Sequence, residues 1–165
     1  MQITKTRFIS LLALVFLLGI LVSSYLPKGI GSLAISEEKP RYVVRAKDAP
    51  IYTKAELKVR AKSLLDEGTV GAKEAYVGLI TALPGAKEPN HIHEKEALFV
   101  YILSGKGQIT IAGKTYPIEK ETAIYIPPAV EHFFENTGST PVEAIQVFVP
   151  PGPEKKLKEW ERVSE

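Results

Sequence analysis

The spacing of hydrophobic positions changes character along the chain, and each change marks an element. Phe8–Leu26 is an almost unbroken apolar run of 19 residues, interrupted only by Ser10, Gly19, Ser23 and Ser24. Residues 27–40 contain Pro27, Gly29, Gly31, Ser32, Ser36 and Pro40 and read as a linker. Arg41–Arg45 predicts a short edge strand. Thr53-Lys-Ala-Glu56 then has the spacing of a capping box, Leu57, Ala61, Leu64 and Leu65 recur at helical intervals, and Gly68 supplies a stop. This predicts a helix flanking the main domain, with Lys54, Lys58, Arg60 and Lys62 as its solvated face. From Ala72 the pattern alternates. Strands are predicted at Tyr76–Leu83, Leu98–Leu103, Gln108–Ala112, Thr115–Ile118, Ala123–Ile126, His132–Glu135 and Val142–Val149, with turn residues between them. Glu154–Arg162 predicts a short C-terminal helix carrying Leu157 and Trp160 on one side.

Short strands at this interval imply a sandwich or barrel. The expected organisation is a signal sequence or membrane anchor over 1–26, a linker over 27–40, an extension of strand and helix over 41–71, an all-β barrel over 72–152 and a terminal helix over 153–165.

Charge sharpens the reading of the amino end. Lys5 and Arg7 precede the apolar run without an acid, the signature of an export signal or a single membrane anchor. A spanning helix needs about 20 apolar residues, which Phe8–Leu26 nearly supplies. The positive-inside bias then puts the amino end in the cytoplasm and the domain on the extracytoplasmic side, in periplasm or extracellular space. Residues 1–34 hold 3 of the 21 basic residues and none of the 19 acids, so the remainder has 18 bases against 19 acids. The basic balance belongs to the leader, and without a basic stripe no nucleic-acid partner is expected. There is no cysteine, which excludes disulfides, thiolate metal sites and cysteine nucleophiles.

The candidate chemistry lies in the histidines. His91 and His93 alternate, so on an extended strand both imidazoles share one face. His132 is the only other histidine, and it follows Pro127-Pro128 in a second short segment. Neutral imidazole is the commonest protein ligand for a transition metal.

At these residues the sequence resembles the cupin superfamily. The family's first motif runs glycine, five residues, His-x-His, three or four residues, glutamate, six residues, glycine; Gly85, His91, His93 and Gly105 fit it. Its second runs glycine, five residues, Pro-x-Gly, two residues, histidine, three residues, asparagine; Pro127, His132 and Asn136 fit, with Glu121 and Ala129 in the places of the two glycines. Glycine in such turns often permits positive φ, so their replacement predicts slightly altered turns. The resemblance implies a single jelly-roll barrel and a divalent transition metal (iron, manganese, nickel, zinc or copper) held by His91, His93 and His132. The family's ligand glutamate falls on Leu98; the nearest carboxylate, Glu96, is a candidate only if the loop after His93 is shaped differently.

Strand parity then nominates Leu98, Val100, Ile102, Phe134 and Gln146 as pocket lining, with Phe148 beside Gln146, and Tyr76 and Tyr125 as proton donors near the mouth. By resemblance, the expected function is that of an exported or membrane-tethered metalloenzyme of dioxygenase, decarboxylase, isomerase or lyase type on a small molecule. The alternative is a non-catalytic module binding a carbohydrate, an organic acid or metal. Homodimerisation through an edge near Arg41–Arg45 is expected by analogy with the family.

Overall fold

The computed structural model describes residues 42–163. The apolar run at 8–26 and the linker lie outside these residues. Among the described residues no helix is long and apolar enough to cross a membrane.

Ten strands form the fold among the described residues. We number them β1 (Ile51–Lys54), β2 (Val59–Leu65), β3 (Tyr76–Ala82), β4 (Ala97–Ser104), β5 (Lys106–Ile111), β6 (Lys114–Glu119), β7 (Ala123–Ile126), β8 (His132–Glu135), β9 (Val142–Val149) and β10 (Glu161–Val163). One antiparallel sheet has the order β10-β1-β2-β3-β9-β4-β7 and the second the order β6-β5-β8. Residues 85–91 extend the second sheet. The Gly85 amide donates to Asn136 O, Asn136 N to Ala86 O and Glu88 N to Phe134 O, while His91 and His132 exchange both backbone bonds.

The core lies between the two sheets, where alternation places every second side chain. Val59 and Ala61 on β2, Tyr76 and Ala82 on β3, Leu98 and Ile102 on β4, and Val142, Ala144 and Phe148 on β9 are buried from one side. Ile109 on β5 and Ile118 on β6 meet them from the other. The close approach of the chain after β4 explains Gly105: φ is +80°, and a Cβ there would lie 2.3 Å from Pro141 O.

Several elements differ from the sequence expectation. The stretch from Thr53 is not a helix but β1, a single 3-10 turn at Ala55–Leu57, and β2. Its helical spacing is real, yet Val59, Ala61 and Ser63 also alternate and are buried. Pairing with β3 on one side and β1 on the other therefore decides the conformation. Lys58, at φ 57°, closes the turn that makes β1 and β2 a hairpin. The barrel sheet accordingly begins at β1, inside the segment expected to be an extension.

The C-terminal helix is a 3-10 segment, Pro153–Glu159, followed by β10 on the free edge of β1. Residues 42–45 are irregular, and Tyr42 and Val43 are exposed. The strand expected there is absent, and β10 rather than Arg41–Arg45 forms that edge of the sheet.

Candidate metal centre

The three histidines, 41 positions apart at the extremes, converge. His91 and His132 face each other across the ladder between residues 85–91 and β8. Ring centroids lie 4.3 Å apart for His91 and His132, 4.9 Å for His91 and His93, and 5.1 Å for His93 and His132. One nitrogen from each falls within 4.8 Å of the others, a set that could hold a metal ion.

Two of the rings are oriented from behind. His91 Nδ1 lies 2.8 Å from Pro89 O and His132 Nδ1 lies 2.9 Å from Val130 O. A carbonyl only accepts, so each Nδ1 carries the proton and each Nε2 presents a lone pair, the arrangement that commonly fixes a metal-binding tautomer. His132 Nε2 is buried without a hydrogen-bond partner. A buried polar atom of this kind is costly unless something pairs with it, and a cation at the cluster centre would do so. The residues therefore fit the ion that the fold implies.

Electrostatics point the same way. Burial lowers the pKa of His93 to about 4, helped by the neighbouring His91 and His132 and by Lys156. Burial also lowers His132, with the Val130 carbonyl opposing and His91 adding to the fall. Both rings are thus held neutral, as ligation requires. The His93 ring also stands edge-on to Phe148, at 4.9 Å between centroids.

The second motif keeps its geometry without its glycines. Glu121 and Ala129 both adopt positive φ, 69° and 60°. The turns are therefore not altered, as their sequence suggested, but strained in the glycine-type conformation. Ala129 uses it to donate its amide to His93 O at 2.7 Å, tying the second motif to the first. Asn136 is buried and structural. Its Nδ2 donates to Ala82 O and Thr140 O, and its Oδ1 accepts from Gly138 N, each at 2.9 Å.

Glu96 does not belong to the imidazole cluster. Its carboxylate lies beside Gly152 and accepts a hydrogen bond from the Lys95 amide, which occupies it away from the imidazoles. Leu98 is buried beside the site.

Two neighbouring spaces, with four lining residues in common, adjoin the centre. A mouth cavity of about 310 Å³ is lined by His91, His93, Phe148, Lys54, Lys156 and Trp160, with the segment Pro153–Glu159 as its far wall. An inner chamber of about 70 Å³ lies between the sheets, with Val100, Ile102, Phe134 and His132 in its wall. Ile80, Glu88, Leu98 and Gln146 line both and form the throat between them.

Glu88 is the site residue that sequence reasoning missed. It is three positions before His91, which on a regular strand would put it on the opposite face. Glu88 precedes His91 by three positions while Phe134 follows His132 by two, so the extra residue at Pro89–Asn90 is absorbed as a bulge. Glu88 and His91 then both face inward. Burial raises the Glu88 pKa, and His91 opposes the shift.

The tyrosines take other places. Tyr125 is exposed on the outer face, against Phe99, and so cannot serve the mouth. Tyr76 is fully buried and lines neither cavity; its phenol occupies the space a Cβ on residue 78 would need, 2.4 Å away. Burial is the main cause pushing its pKa up to about 12, with Ser63 and Gln146 close enough to oppose the shift. Its hydroxyl has no hydrogen-bond partner among the described residues. Lys54, expected on a solvated helix face, borders the mouth cavity instead.

The chain thus combines two antiparallel sheets packed as a jelly roll with a cluster of three histidines. Residues 78–148 match the family model described as "Cupin domain". These residues are a cupin domain. It is similar to "Polyketide synthase CurC" of Streptomyces cyaneus, 29% identical over 96 residues that cover 58% of this chain and 62% of that protein. The chain thus spans somewhat less than two thirds of the length of that relative.

Among solved structures it resembles a predicted oxalate decarboxylase from Thermotoga maritima, with a TM-score of 0.60 and 26% identity over 66% of this chain and 99% of that one. It also resembles the polyketide cyclase RemF from Streptomyces resistomycificus, with a TM-score of 0.59 over 67% of this chain and 80% of that one. At 22% identity the second likeness speaks for the fold alone.

Proposed function

We propose that this chain is a metal-binding cupin that acts on a small molecule, with His91, His93 and His132 as the protein ligands. The observation that carries the reading is the convergence of three imidazoles on one point, with the buried Nε2 of His132 unpaired. A bound divalent ion, whether iron, manganese, nickel, zinc or copper, would supply Lewis acidity toward a ligand oxygen.

The chain's own residues do the rest. The backbone carbonyls of Pro89 and Val130 hold two rings in the ligating tautomer. Phe148 and Leu98 exclude water from one side, and Glu88 and Gln146 offer the throat's polar contacts to a bound molecule. The similar proteins include one titled a predicted oxalate decarboxylase and one named a polyketide synthase protein, which supports a catalytic reading. Leu98 at the place of the family's ligand carboxylate favours a second reading, a binding module without turnover. In this proposal the domain is exported or membrane-tethered through residues 8–26, on the strength of the sequence alone.

The test is metal uptake by the full chain and by its His91→Ala and His132→Ala variants. Retention of one ion per chain, lost in both variants, supports the metal reading. Turnover of oxygen-rich small molecules by the loaded protein then separates enzyme from binding module. Equal metal content in all three proteins would overturn the proposal.

A further inference from the structure

We infer that the ligand of this site is amphipathic, with a chelating polar head at the histidines and a short aliphatic tail passing through the throat into the inner chamber. The inference deepens the proposed function and rests on it. Its basis is the contrast between two neighbouring spaces that share a wall. The mouth cavity carries the site's charged and polar groups, Lys54, Lys156, Glu154, His91 and His93 among them. Beyond Leu98 and Glu88 the lining turns aliphatic and aromatic: Val100, Ile102, Ile109, Ile124, Phe134 and Ala144 are typical of it.

The polar groups of the inner chamber are confined to Glu88, His132 and Gln146, and two of these belong to the throat. Water entering deeper finds too few partners to compete with an apolar group, whereas a methylene there is transferred out of water. Glu88 marks the boundary. Its carboxyl interacts with His91 and borders both spaces, where it can meet the last polar atom of an incoming molecule.

Leu98 has a definite consequence in this view. A carboxylate at that position would place charge on the wall of the throat. Leucine instead continues the apolar surface of Val100 and Ile102, its same-face neighbours on β4, up to the imidazole cluster. A ligand wholly covered with polar groups, such as a sugar or a short dicarboxylate, would leave this surface unused.

The experiment titrates the zinc-loaded full-length chain with straight-chain hydroxamic acids from acetyl to octanoyl, all bearing the same chelating head. Affinity should rise about fourfold per methylene over the first members, as expected for burying each CH₂, and stop rising once the chamber is filled. Ala144→Leu, which fills the chamber from β9, should abolish that gain with zinc content unchanged. Ile124→Ala, which enlarges it, should move the optimum to a longer chain. Affinities independent of chain length, or the same rise in both variants as in the parent, would overturn the inference while leaving the metal site intact. Failure of the parent to retain zinc or any of the other four ions would overturn the metal reading, and this inference with it.

Discussion

At the scale of single residues, the second motif shows how the barrel tolerates substitutions at a site it needs. Glu121 and Ala129 hold the positive-φ conformation that glycine adopts freely. Each should therefore cost about 1 kcal/mol of strain. Glu121→Gly and Ala129→Gly are each expected to gain most of that back, less the entropy glycine adds to the unfolded chain, and to raise the melting temperature. Chemical denaturation with an unchanged m-value would check it. His93 makes a pH prediction. Its folded pKa of about 4 lies below the ordinary 6.5, so the unfolded chain binds more protons between those values. The metal-free protein should be most stable above about pH 6.5 and lose stability as pH falls toward 4. Thermal melts across that window, compared with His93→Gln, should show a flatter profile for the variant.

At the scale of elements, legibility followed locality. The strands from Tyr76 to Val149 were readable because alternation, turn residues and motif spacing agreed over short distances. His91 and His93 were readable for the same reason, since their spacing and the strand period are both two. The stretch at 53–65 was not, because its spacing suits both a helix and a half-buried strand, and only the pairing with β3 decides between them. Glu88 was hidden by one extra residue at Pro89–Asn90, which reverses the parity from which facing is inferred. Asn136 shows that a motif residue can be purely a fastener. It bridges the end of β3 to the turn before β9. Asn136→Ala should cost about 3 kcal/mol, from three lost hydrogen bonds of which one is fully buried, and urea unfolding should show it. Metal content should be retained at temperatures where the variant remains folded.

At the scale of the whole molecule, the site exists because two sheets close on each other and a strap closes the mouth. Pro153–Glu159 borders the cavity, and β10 anchors the far end of that strap to β1. Leu157 is buried and Trp160 packs against the core. Removing residues 153–165 should thus cost about 3 kcal/mol by exposing these two side chains, measured by denaturant unfolding. It should also speed extraction of bound metal by a chelator. The centre itself is most directly examined by X-ray absorption at the zinc edge of the loaded protein. Ligation by His91, His93 and His132 predicts three imidazole nitrogens at about 2.0–2.1 Å from the zinc, reduced to two in His132→Ala. A shell with one imidazole or none, unchanged by that substitution, would contradict it.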